Sequence, residues 1–171
     1  EDLYFSGDDI PSAARLWGTV AFFFACYGAG TPLYDEFTRQ SNKASRETIA
    51  PRPFISKLPQ KMLAHPNGGA LAVVGHVERA WGYSFISGRA RSLTAFESTL
   101  DSLMRGDPIG FAFEVFNERY AEFSTDLTQA LDDAQWTPPD PVQIASKWTA
   151  NNDAKNYVVL GDPFVRVPVK P

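Results

Sequence analysis

Three short, nearly all-apolar segments separated by stretches of helical periodicity predict an α/β fold, with a mainly parallel sheet and helices on both of its faces. The first segment, Thr19-Val20-Ala21-Phe22-Phe23-Phe24-Ala25, is apolar on every side and runs into Gly28, Gly30 and Pro32, the pattern of a strand buried on both faces. The second, Ala70-Leu71-Ala72-Val73-Val74-Gly75, follows the turn residues Pro66-Asn67-Gly68-Gly69. The third, Tyr157-Val158-Val159-Leu160, stops at Gly161-Asp162-Pro163, and residues 164–167 read as a short edge strand.

Helices fill the intervals. Leu93, Phe96, Leu100, Leu103 and Met104 recur at three- and four-residue steps, with Thr94-Ala95-Phe96-Glu97 as a capping box and Gly106 as a stop. After Pro108, the residues Ile109, Phe113, Phe116, Tyr120, Phe123, Leu127 and Leu131 form one apolar stripe, predicting a single long helix that ends before Trp136-Thr137-Pro138-Pro139. A shorter helix is expected within residues 54–65, where Pro59 either kinks it or sits in its first turn. Residues 40–53 are polar, include Lys43, Arg46 and Arg52 and show no apolar period, so they read as a mobile surface loop. No internal repeat and no second domain is evident, and residues 1–171 read as one domain.

Composition narrows the class of function. Apolar residues make up 44% of the chain and aromatic residues 13%, far from a disordered composition. The 16 basic and 20 acidic residues leave a net charge of −4, which argues against a nucleic-acid partner, since a phosphate-binding surface needs a basic excess. The longest apolar run falls far below the roughly 20 residues that span a bilayer, so no membrane partner is expected. One cysteine allows no intrachain disulfide, and with two histidines it makes no zinc pattern; no metal or cofactor is expected, and the cytoplasm is the natural compartment. The opening Glu1-Asp2-Leu3-Tyr4-Phe5-Ser6-Gly7 has a faint likeness to a protease-tag site but carries Ser6 where Gln is needed, and it is read as native sequence.

Open parallel sheets bind ligands where the loops converge at the carboxyl ends of their strands. Here those ends deliver Cys26, His76 and Asp162, a Cys, a His and an Asp at one edge of the sheet. Cys26 stands just past a rigid strand in the loop Tyr27-Gly28-Ala29-Gly30, whose glycines let a substrate backbone approach and can aim amides at an oxyanion. The alternative is that Cys26 is merely a small apolar residue at a strand end.

The run Phe22-Phe23-Phe24-Ala25-Cys26-Tyr27-Gly28-Ala29-Gly30-Thr31-Pro32 resembles the catalytic-cysteine strand of gingipain-like and CHAT peptidases of the caspase-like type. Gly69-Ala70-Leu71-Ala72-Val73-Val74-Gly75-His76 is similar to the strand that follows in those proteins, and Tyr157-Val158-Val159-Leu160-Gly161-Asp162-Pro163 to their closing motif. The three motifs stand in the family's order and span about residues 18–167. The resemblance implies a caspase-like three-layer sandwich and a cysteine endopeptidase acting on a protein or peptide, with Cys26 as nucleophile. In that family the activating histidine ends the strand just before the cysteine strand, and no histidine precedes Cys26 here. The domain is therefore expected to be truncated at its N-terminal side, its sheet completed by other parts of the same protein or by other subunits. This also suits the aromatic surface that Phe22, Phe23 and Phe24 put on both faces of the first strand.

His76 can be read as a base for Cys26 or as a residue lining the substrate groove, and the family pattern favours the groove. Arg79 is read as a carboxylate clamp and Trp81 as an apolar wall, against plain core packing for Trp81. Asp35, with Glu36, would orient a basic substrate or open a helix. Asp162 is expected to brace its turn, His65 to end a helix, and Asn151-Asn152-Asp153 to form a turn. Two rivals to the peptidase reading stand: a caspase-like pseudoprotease serving protein interaction, and a flavodoxin-like small-molecule binder, although Gly28-Ala29-Gly30-Thr31-Pro32 does not match a dinucleotide loop.

Overall fold

The computed structural model describes residues 5–37, 46–87, 90–91 and 93–169; the opening segment up to Tyr4 and residues 40–45 of the expected loop lie outside these. Along the chain run β1 (Val20–Phe23), β2 (Gly30–Thr31), β3 (Phe54–Ile55), α1 (Lys57–Leu63), β4 (Ala72–His76), a 3-10 turn (Gly82–Phe85), β5 (Ile86–Ser87), β6 (Ala90–Arg91), α2 (Thr94–Met104), α3 (Ile109–Ala112), α4 (Glu114–Asp133), α5 (Pro141–Ala154) and β7 (Tyr157–Gly161). The protein is α/β.

The three apolar segments form one sheet in the order β1-β4-β7. β1 runs parallel to β4, with Val20 opposite Ala72 and Phe23 opposite Gly75. β7 runs antiparallel to β4, with Tyr157 opposite His76 and Gly161 opposite Ala72, so the sheet is mixed and not mainly parallel. The reason lies in the return path. The chain leaves β4 at its His76 end, and α5 brings it back to that same end, where the Val77 amide donates to the Asn156 carbonyl at 3.0 Å. A strand entering there has to run back along β4. The short ribbons β2-β3 and β5-β6 are also antiparallel.

Side-chain alternation splits the sheet into two faces. Ala72 and Val74 join Val20, Phe22 and Val159 in a core with Ala95, Leu103, Ile109, Phe113 and Phe116 from the helices after β4. Its centre is aromatic: the Phe96 ring lies 4.9 Å from Phe85, 5.1 Å from Phe116 and 5.6 Å from Phe24, at tilted or edge-on angles that suit ring quadrupoles. Val73 and Gly75 turn to the other side, where Gly75 packs closely on Ala29: a Cβ there would lie 3.1 Å from the Ala29 Cβ. α1 supports the neighbourhood, the Ala70 amide donating to the Met62 carbonyl at 2.9 Å and Gly69 lying so near the Leu63 carbonyl that a Cβ would meet its oxygen at 2.0 Å.

The helices depart from the sequence reading in three places. Leu93, not Thr94, is the N-cap of α2, so the expected capping box is one residue out of step and does not form. Gly106, at φ +85°, does end that helix region, as only a residue without Cβ does easily. The long helix breaks at Phe113, between α3 and α4; the first turn of α3 is anchored by the Gly110 amide donating to the Pro163 carbonyl at 2.9 Å, and Phe113 stacks on Phe116 at 4.7 Å. Pro59 is the third residue of α1 and lies in its first turn. Asn151, Asn152 and Asp153 are not a turn but the last turn of α5, which starts with Asp140 accepting from the Val142 amide at 2.9 Å and Pro141 in the first turn. α5 packs on α4 through Asn151 Nδ2 donating to Ser124 Oγ at 2.7 Å. Residues 164–167 form no strand. Asp162 instead accepts from the Phe164 amide at 2.9 Å and braces the turn as expected.

Candidate functional site

β1 delivers the chain to a turn at the carboxyl end of the sheet, closed by the Gly28 amide donating to the Ala25 carbonyl at 3.2 Å. Tyr27 takes φ +58° there, the only non-glycine residue with positive φ among the described residues. For a residue with a Cβ this costs about 1–2 kcal/mol. Three bonds from two other segments, the loop after β4 and the start of α1, hold it in place. The Tyr27 amide donates to the Glu78 carbonyl at 2.9 Å, the Ser56 hydroxyl donates to the Tyr27 carbonyl at 2.7 Å, and Arg79 Nε donates to the Tyr27 hydroxyl at 3.3 Å. Cys26, immediately before it, is exposed, and its thiol points at the Ala80 carbonyl with Sγ 3.7 Å from the oxygen.

The expected oxyanion loop is packed tightly. A Cβ on Gly28 would lie 3.0 Å from the Phe23 Cβ, and one on Gly30 2.7 Å from the Phe54 carbonyl oxygen. Its amides are largely spent within the protein: Gly28 closes the turn, Ala29 donates to the His76 carbonyl at 3.0 Å, and Gly30 pairs opposite Ile55. The Gly28 and Ala29 amides therefore do not face the Cys26 thiol as free donors.

His76 is not where the sequence reading put it. It is wholly buried, with Nδ1 2.7 Å from the Glu78 carbonyl oxygen, Nε2 3.0 Å from the Asp153 carbonyl oxygen, and its ring edge-on to Tyr157 at 4.7 Å. It lines no groove, and both ring nitrogens are engaged away from Cys26, so neither the substrate-binding nor the base role survives in this arrangement. The reason is its even position on β4, which turns it to the same face as Ala72 and Val74. His65 lies just beyond α1, toward the opposite end of the sheet, with Nε2 3.1 Å from the Pro11 carbonyl oxygen.

Asp35 is buried and belongs to no helix; its carboxylate pairs with Arg79 and accepts from the Phe37 amide at 2.8 Å. It is thus already neutralised from within and is not open to a basic substrate. Arg79, its side chain 40% exposed, keeps an outer face toward solvent beside the Cys26 loop. The Tyr27 hydroxyl raises the Arg79 pKa and the Asp35 charge adds to this, while burial pushes the Tyr27 phenol up, helped by Glu78. Trp81 rests its ring 5.6 Å from Phe37, and its amide donates to Asp153 Oδ1 at 2.7 Å. It is part wall and part core.

Three residues organise the site, two of them, Glu78 and Ser56, given no role in the sequence reading and the third, Asp153, read there as part of a turn. Glu78, 1% exposed, accepts from the Arg79 amide at 2.9 Å and the Glu36 amide at 3.3 Å. Asp153 joins β4, α5 and the Trp81 loop. Ser56, the N-cap of α1, holds Tyr27. A serine ahead of a helical stretch was the one available signal; buried acids carry none in a lone sequence. Beside the loop, Thr31, Pro32, Pro53, Phe54, Ile55 and Val77 line an apolar groove of about 440 Å³. Among the described residues no three His, Cys, Asp or Glu side chains gather as metal ligands, and no helix is long and apolar enough to cross a membrane. Comparison with protein-family models, with curated proteins and with solved structures finds no match to this chain.

Proposed function

We propose that this chain is the cysteine-bearing part of a caspase-like peptidase domain of the gingipain and CHAT kind, with Cys26 as its nucleophile. One observation carries the reading: the sole cysteine is exposed at the carboxyl end of a core strand, on a turn whose next residue is held in the left-handed region by three bonds from two separate segments. Strain retained by surrounding structure concentrates at functional sites. The three motifs in the family's order and the α/β sheet that joins them add support.

In the proposed reaction the Cys26 thiolate adds to a peptide carbonyl carbon, the C–N bond breaks, the leaving amine takes a proton, and water hydrolyses the thioester. The apolar groove beside β2 and β3 would seat a substrate side chain, and the outer face of Arg79 would meet a polar or acidic one. Because His65 and His76 are both engaged elsewhere, the proton for the leaving amine comes from an imidazole that this chain does not supply. A protein or peptide is the partner, and the cytoplasm, where an exposed thiol stays reduced, is the setting. The test is labelling of the protein, within its native assembly, by a peptidyl thiol-reactive probe. Labelling that depends on Cys26 and exceeds that of the unfolded chain supports the reading, and equal labelling of wild type and Cys26→Ala removes it.

The lack of either histidine at Cys26 favours a second reading, a pseudoprotease whose caspase-like surface binds other proteins without turnover. Complex formation unaffected by Cys26→Ala, with no cleavage of the bound protein, would select it.

A further inference from the structure

Ser56 stands at the N-cap of α1 with the extended backbone of a capping residue, φ −60° and ψ 144°, yet its side chain makes no capping hydrogen bond. A serine in that position ordinarily accepts from an amide in the first turn of its helix. Here the hydroxyl donates instead to the carbonyl of Tyr27 at 2.7 Å, and the Ser56 amide donates to Ala29 at 2.9 Å. Both bonds reach across 27 residues or more to the loop that carries Cys26. Tyr27 is the residue at φ +58°, and its carbonyl orientation is what that unusual φ makes different.

We infer that Ser56 is a positioning residue for Cys26: its hydroxyl gives up the helix cap to lock the Tyr27 peptide, and through it fixes where the adjacent Cys26 presents its sulfur. The inference rests on Cys26 being a nucleophile. The Arg79 bond to the Tyr27 hydroxyl and the Glu78 bond to the Tyr27 amide fix the ring and the preceding peptide, so only Ser56 among these contacts acts on the peptide that follows. Two chemical requirements follow. The side chain at 56 needs a hydrogen-bond donor, because it meets a carbonyl. It also becomes dispensable if residue 27 holds positive φ without help, as glycine does.

These requirements separate positioning from stability. Ser56→Asp supplies a stronger acceptor for the Leu58 amide in the first turn of α1, Pro59 next to it having no N–H, and a favourable charge at that helix end, but no donor for Tyr27. The experiment measures the second-order rate of Cys26 alkylation by iodoacetamide at pH 7, together with thermal unfolding, on the whole chain. Ser56→Asp is expected to unfold no earlier than wild type while Cys26 reacts roughly tenfold more slowly, a size typical of lost orientation. Ser56→Thr, which keeps the hydroxyl, stays within about twofold of wild type by the same reasoning. In a Tyr27→Gly background, Ser56→Asp changes the rate by less than about twofold, the coupling that a double-mutant cycle isolates. Wild-type reactivity in Ser56→Asp, or an undiminished Ser56 effect when residue 27 is glycine, overturns the inference. Wild-type Cys26 reacting no faster than in the urea-unfolded chain would instead remove the nucleophile reading itself, whatever Ser56 does.

Discussion

His76 and Asp153 meet inside the protein, both side chains fully buried, with Nε2 3.0 Å from the Asp153 carbonyl oxygen and 3.4 Å from its carboxylate. The pair ties the central strand to the last turn of α5 and, through the Trp81 amide, to the loop after β4. A residue that looked like a base or a groove lining is a tie between elements.

Replacing it tests this directly. His76→Ala is expected to lower unfolding stability by about 2–4 kcal/mol, because it opens a cavity and takes away the acceptor of the buried Glu78 amide. Urea unfolding measures the loss. While the variant remains folded, Cys26 alkylation by iodoacetamide should stay within about threefold of wild type, whereas a base would give a loss on the order of a hundredfold.

Tyr157 gives a prediction in pH. Its hydroxyl is buried without a hydrogen-bond partner among the described residues, and burial first, then the Asp153 charge, pushes its pKa well above the usual phenol value. The folded state therefore holds this proton where the unfolded chain releases it. The associated stability is fully present below about pH 10, the ordinary phenol pKa, and declines as pH rises above it. Tyr157→Phe should lessen the alkaline decline, leaving the part due to Tyr27, and, by removing an unsatisfied buried group, raise stability at pH 7 by about 1 kcal/mol. Urea midpoints of wild type and variant across pH 7–11 check both effects.

The Asp35–Arg79 pair predicts weak screening. Because the Asp35 side chain is fully buried and also holds the Phe37 amide, Asp35→Ala should destabilise by about 1–3 kcal/mol. That difference should change by less than about 0.5 kcal/mol between low and high salt, since buried charges are shielded little by ions. Denaturation in 0.05 M and 0.5 M sodium chloride measures it.

Gly69 should tolerate no side chain. An added Cβ would lie 2.0 Å from the Leu63 carbonyl oxygen, which belongs to the last residue of α1. Gly69→Ala is expected to cost about 2–4 kcal/mol as α1 is pushed from β4, lowering the melting temperature by roughly 5–15 °C for a chain of this size. Thermal unfolding followed by circular dichroism gives the answer.

The sequence by itself determined the three sheet strands, the parallel pairing of the first two, most of α2 and the place of Cys26 just past a strand end. Each of these is local: unbroken apolar runs, a helical period or a glycine-rich stop states them within a few residues. It did not determine the direction of β7, the break at Phe113, the presence of α5 or the role of His76. α5 carries only a weak apolar period, and its Asp140-Pro141 start was the one signal for it. The direction of β7 depends on where a four-helix excursion brings the chain back, and the apolar stripe runs on unchanged through the break at Phe113. The site follows the same rule. Glu78, Asp153 and Ser56 act because burial leaves their polar atoms facing single partners across the fold, and only the tertiary structure chooses those partners.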